Sequence, residues 1–183
     1  MRRALVAVLL VACAPRAAAP MPLAIETTRG PIHCGLDAPR APRAVAMIEA
    51  LAGAHYYDGL AFFRAIPGVL VQTGSPAGDG SQPREHRVPL ELSAADAGRL
   101  ARPGALLLAR YTPPPGRADP NPPRDPIGAE LVVGLVDMSH LAGAVTVLGT
   151  CRDLDVVARI AGDVAAHRPV RVVRATASPP RLR

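Results

Sequence analysis

Whatever chemistry this chain does, it does without lysine: all 21 of its Lys+Arg positions are arginine. Schiff-base chemistry and a phosphate-gripping P-loop lysine are excluded. The cysteines (Cys13, Cys34, Cys151) and the histidines (His33, His55, His86, His140, His167) show no ligand spacing, so no metal is expected. The run Gly74-Ser75-Pro76-Ala77-Gly78-Asp79-Gly80-Ser81 is rich in glycine, but no Lys-Ser/Thr and no helix follow it, and it reads as loop geometry rather than a phosphate cradle. The net charge of +6 invites a nucleic-acid partner. Yet the arginines are scattered, and without the three in residues 1–19 (Arg2, Arg3, Arg16) the excess falls to +3, so no nucleic acid is expected.

A length of 183 residues, with 49% hydrophobic and 20% charged, describes one globular domain with short extras. Aromatics are 3% and Trp is absent, so any aromatic binding wall is built from very little. Residues 1–19 read as an export leader: Arg2 and Arg3 precede the apolar run Ala4 to Ala12, far shorter than a membrane span. Leu10-Val11-Ala12-Cys13 has the form of a lipoprotein box, with Cys13 the lipidated residue. Ala17-Ala18-Ala19 offers ordinary signal cleavage as the alternative. Either way the protein is expected outside the cytoplasm, in the periplasm or anchored to the cell envelope through a lipid. There, Cys34 and Cys151 either pair or remain as buried thiols.

Further along, strands are expected at Leu23–Thr28, Pro31–Leu36, Leu60–Arg64, Val69–Gln72, Val88–Leu92, Gly104–Ala109, Leu131–Val136, Val145–Leu148 and Val170–Val173. A helix follows Pro42, with Val45, Ile48 and Leu51 on one face and Gly53 as its stop, and a second spans Asp153–Ala161. Residues 113–126 hold seven prolines and read as an extended surface loop, an exposed insertion. Many short strands with one early and one late helix predict a closed antiparallel barrel capped by two helices.

From Tyr57-Asp58-Gly59 through Phe63-Arg64, Ile66-Pro67-Gly68 and Gln72 to Pro76, the sequence resembles the cyclophilin signature without a gap. Thr28–Ile32, Ala38–Val45, Val88–Glu91, Gly104–Ala109 and Ala129–Gly149 are similar to further cyclophilin segments in the same order, so that the likeness runs from Leu23 to Ala175. The resemblance implies an eight-stranded antiparallel barrel and peptidyl-prolyl cis-trans isomerase activity, with no cofactor. It places Arg64 as the electrostatic catalyst and Gln72 as the anchor of the substrate backbone. Val69, Leu70, Val132 and Leu141 fall on the proline pocket, and Arg110 and His140 on further substrate-contacting positions.

Several of those positions depart from the family. Aromatic or sulfur side chains are replaced at Val69, Leu70 and Val132; a Trp or Phe is replaced by His140, a His by Val145, an Asn by Arg110, a Gln by Glu130, and the His of Phe-His-Arg by Phe63. Smaller aliphatic walls hold a proline ring less firmly. The expectation is a weakened isomerase, acting as a monomer on proline-containing peptides or unfolded envelope proteins. The rival expectation is a cyclophilin-like module that binds peptides without turning them over.

Overall fold

The computed structural model describes residues 19–81, 85–110 and 127–178. Cys13, nearly all of the leader and the proline-rich 113–126 lie outside the described residues. Alternation starts the fold: Met21, Leu23, Ile25 and Thr27 are buried, and the residues between them less so, which pleats Met21–Thr27 (β1) with one face on the core. The Thr27 hydroxyl donates to the Gly30 carbonyl at 2.6 Å, closing the turn into Gly30–Leu36 (β2). Pro42 opens the helix Pro42–Gly53 (α1), which buries Ala44, Val45, Ile48, Leu51 and Ala52. Ala41 cannot cap this helix with its side chain. The Glu91 carboxylate does so instead, accepting the Arg43 and Ala44 N–H groups at 2.9 and 2.8 Å.

The remaining elements are Arg64–Ile66 (β3), Leu70–Thr73 (β4), Ala94–Leu100 (α2), Ala105–Arg110 (β5), Ile127–Gly134 (β6), a 3-10 turn at Ser139–Leu141, Val145–Cys151 (β7), Leu154–Ala165 (α3) and Val172–Ala177 (β8). All eight strands pair antiparallel in one curled sheet, in the order β3-β4-β6-β5-β7-β2-β1-β8. Val71, Leu106, Leu108, Leu131, Val133 and Leu148 join the main core. Their alternates Leu70, Leu107, Val132, Val145 and Val147 form a second apolar cluster with Ala97 of α2 and Met138.

Four expectations are corrected. The sheet is open rather than closed, with β3 and β8 as its edges. The stretch expected as a strand over Leu60–Arg64 divides its bonds: the Leu60 carbonyl accepts the Val172 N–H and Phe62 N–H donates to the Val170 carbonyl on one side, Phe63 N–H donates to the Gln72 carbonyl on the other, and only Arg64 joins a strand, β3. Leu60–Phe63 thus runs between β8 and β4, with a single bridge from Ala61 to Arg171 and no strand of its own. The described residues hold three α-helices, not two; α2 is announced by Ser93, whose side chain accepts the Asp96 N–H, a Ser-x-x-Asp cap. Finally, Val88–Leu92 is not a strand: only Val88 bridges Ile127, and the segment serves to bring Glu91 to α1.

The β2–β7 seam is the narrowest pairing in the middle of the sheet, three residue pairs long: Cys34 opposite Cys151, Gly35 opposite Thr150 and Leu36 opposite Gly149. A Cβ at Gly149 would fall 1.9 Å from the Gly35 carbonyl oxygen, so only glycine allows the strands to come this close. Cys34 and Cys151 form a disulfide across the seam, joining positions 117 residues apart. Closing a loop of that length restricts the unfolded chain by about 4–5 kcal/mol on the chain-entropy account. The double substitution Cys34→Ser/Cys151→Ser should therefore lower Tm by on the order of 10 °C. Thermal unfolding followed by circular dichroism checks this; an unchanged midpoint would show that the seam does not depend on the cross-link.

Candidate active site

Register creates the site. Arg64 stands opposite Gln72 across β3 and β4, Gln72 opposite Val132 across β4 and β6, and Val132 opposite Leu107 across β6 and β5. These side chains surface on the outer face of the sheet and floor a groove of about 410 Å³. Leu70, Leu107, Val132, Leu141, Ala144 and Val145 supply its apolar lining; Phe63, Arg64, Gln72, Asp79, Arg110 and Glu130 supply its aromatic and polar edge.

A polar relay runs along that edge. The Arg64 guanidinium donates to Gln72 Oε1 at 3.3 Å, and Gln72 Nε2 donates to Glu130 Oε2 at 2.6 Å. Gln72 and Glu130 are buried, while Arg64 is exposed at the lip. A buried carboxylate thus orients the amide, and the amide orients the cation. Glu130 reaches its place because β4 ends in Gly74 at φ +102°, where a Cβ would lie 2.7 Å from the Ala129 carbonyl oxygen and 3.0 Å from the Glu130 Cα. Two phenols brace the same crossing: Tyr56 donates to the Gly74 carbonyl and Tyr57 to that of Ala129, each at 3.0 Å. Burial first, and then the negative charges of Glu130 and Glu85, push the Tyr56 phenol up to about 12. Burial likewise pushes Tyr57 well above its ordinary value. On the loop beside Phe63 and Glu130, hydrogen bonds from the Ser81 side chain and backbone hold the Asp79 carboxyl below its ordinary value.

Of the residues that the sequence placed at the site, the groove gathers Arg64, Gln72, Leu70, Val132, Leu141 and Arg110. It does not gather Val69 or His140. Val69 sits at the end of the β3–β4 turn, where its carbonyl accepts the Leu135 N–H at 2.7 Å. His140 is exposed on the 3-10 turn, and its neighbour Leu141 faces the groove instead. The sequence reading missed the structural part that Glu130 plays, along with Leu107 and Ala144. Alternation along the apolar strand Ala105–Ala109 was the available signal for Leu107; nothing local marks Glu130 as the partner of a residue 58 positions away. Among the described residues no group of three or more His, Cys, Asp or Glu side chains gathers to hold a metal ion.

The family profile described as cyclophilin type peptidyl-prolyl cis-trans isomerase/CLD matches residues 22–176, all of the described sheet but its two end residues. The chain belongs to the cyclophilin-type peptidyl-prolyl cis-trans isomerases. It is 34% identical over 125 residues to a peptidyl-prolyl cis-trans isomerase of Helicobacter pylori, covering 68% of this chain and 69% of that protein. It is also 30% identical over 129 residues to one from Synechococcus elongatus, covering 70% and 79%. A crystal structure of a Cryptosporidium parvum cyclophilin, obtained in the presence of the dipeptide Ala-Pro, superposes with a TM-score of 0.67 at 19% identity, over 86% of this chain and 98% of that one. That last likeness concerns the fold. The cyclophilin expected from the sequence is therefore the family found, in an open, curled form of its sheet.

The two braced phenols of this cyclophilin give a pH prediction. An unfolded tyrosine ionises near pH 10, whereas Tyr56 holds its proton to about 12. A raised pKa contributes stability that is complete below pH 10 and lost as pH climbs through 12. Tyrosinate absorbance should accordingly lag in the folded protein and appear together with unfolding above pH 10. Ionisation of every tyrosine near pH 10 with the fold intact would contradict the bracing.

Proposed function

We propose that the groove accelerates X–Pro isomerisation with Arg64 as its catalytic residue, in an exported protein that assists the folding of cell-envelope proteins. The observation that carries this is the relay Glu130–Gln72–Arg64, which presents a guanidinium beside an apolar floor. X–Pro rotation breaks no covalent bond. Its barrier, about 18–20 kcal/mol for amides in general, is mostly lost resonance. A catalyst has only to bind the twisted amide better than either planar isomer. With the proline ring on Leu70, Val132 and Leu107, an Arg64 N–H donates to the prolyl nitrogen as its lone pair leaves conjugation. The guanidinium has five N–H donors, and the bond to Gln72 leaves the others to the substrate. Gln72 does two jobs, orienting Arg64 and offering its amide to the peptide backbone.

The aliphatic walls at Leu70, Val132 and Val145 support a reduced rate, because a loosely held ring aims the amide less well at Arg64; small misplacements cost about 10²-fold. They also favour the second reading, a peptide-binding module with little turnover. The disulfide supports an oxidising compartment, in keeping with the leader and Cys13 lipidation read from the sequence. Acting on single extended peptides, the domain works as a monomer.

The deciding measurement is the rate of X–Pro isomerisation of a short peptide with and without the protein. Acceleration is expected, falling by about 10²-fold in Arg64→Ala as one aimed donor is lost. A folded wild-type domain that accelerates no X–Pro peptide would leave the binding reading.

A further inference from the structure

We infer that Arg110 makes this groove selective for substrates carrying a carboxylate side chain within two residues of the proline. The inference deepens the isomerase reading and rests on it.

Strict alternation along β5 would send Arg110 to the opposite face from Leu107 and Ala109, which line the groove. The β5–β6 register shifts between Leu108 and Arg110: Leu108 faces Leu131, and Arg110 faces Ile127. The extra residues of this bulge, 128 to 130 against the single Ala109, lie on β6, and Arg110, at the exposed end of β5, nonetheless lines the groove. The strand end is held on its other side, where the Arg110 N–H donates to the Ala144 carbonyl at 2.9 Å. Arg110 is thus fixed in backbone and exposed in side chain.

Four charged side chains line the groove. Arg64 donates to Gln72 and turns its other N–H groups to the prolyl nitrogen, and Glu130 is buried and accepts from Gln72. Asp79 accepts the Ser81 N–H at 2.8 Å and the Ser75 hydroxyl at 3.4 Å. Arg110 alone of the four makes no side-chain hydrogen bond or ion pair among the described residues. Its planar fork matches a carboxylate. The two acidic groups neighbour Phe63 and Gly80, since a Cβ at Gly80 would lie 3.8 Å from the Phe63 ring and 3.9 Å from Glu130 Oε1. Arg110 lies beside Ala144, at the end of β5. The groove is therefore polarised, and its cationic part awaits an anion from the substrate.

Acetylated peptides with Glu, Gln or Lys at each of the two positions before and after a single proline would test this at low ionic strength. At one position at least, Glu should raise kcat/KM about two- to fivefold over Gln, with Lys below both, as an exposed ion pair allows. Added salt should erase the difference. The preference should vanish in Arg110→Gln and reverse toward Lys in Arg110→Glu; because the side chain is exposed, both variants keep the fold. Acceleration with equal rates for Glu and Gln overturns the inference and leaves the isomerase reading standing. A Glu preference that survives Arg110→Gln overturns the role of Arg110. If no peptide is accelerated, the isomerase reading fails by itself, and dissociation constants of the same peptides decide the inference: tighter Glu binding lost in Arg110→Gln upholds it, and equal binding overturns it.

Discussion

The row of directly opposed residues Arg64, Gln72, Val132 and Leu107, running across four neighbouring strands, is the constraint on which the groove depends. Because side chains alternate faces, a slip of one residue in any of these pairings would turn half the row into the core. Slippage is opposed from below: Val71, Leu131, Val133, Leu106 and Leu108 fill the interior with the alternate positions of the same strands. The apolar pattern that makes the core is thus the same pattern that sets the groove face, and neither can shift without the other.

Upon that row sits a short electrostatic chain. Burying Glu130 would be costly unless its charge were met by donors, and Gln72 meets it at 2.6 Å. Since the amide must present its nitrogen to Glu130, it presents its oxygen outward, and the oxygen receives Arg64. One buried carboxylate therefore determines which way the amide faces. The crossing that seats it depends on Gly74 and on the two tyrosines above it. In a chain with so few aromatic side chains, two serve to brace the polar relay, and the apolar wall of the groove is left mainly to leucine and valine.

What was legible in the sequence follows from range. Arg64 and Gln72 lie on one hairpin, with Ile66-Pro67-Gly68 between them, and their juxtaposition could be read locally. The first hairpin and α1 were equally plain, since their alternation and three-residue spacing fall within single elements. Glu130, by contrast, enters from a distant strand. The seven-residue α2 shows no apolar periodicity, and only its cap at Ser93 betrays it. Closure of the barrel was overread because Leu60–Phe63 has strand-forming residues but divides its hydrogen bonds between two neighbours. Arg110 reads as a simple replacement in a motif, and only the structure places its exposed side chain at the groove.

The position of β1 has a consequence in time. Its two neighbours are β2, which follows at once, and β8, which ends at Ala177; β2 in turn pairs with β7. As the chain lengthens from its N-terminus, the opening hairpin therefore keeps unsatisfied edges until almost every other residue has been made. Pairings this distant in sequence form slowly, because loop closure precedes any return in contacts. A protein of this topology is itself an incomplete chain with exposed strand edges for most of its synthesis, so it passes through the same condition in which an isomerase would meet its substrates.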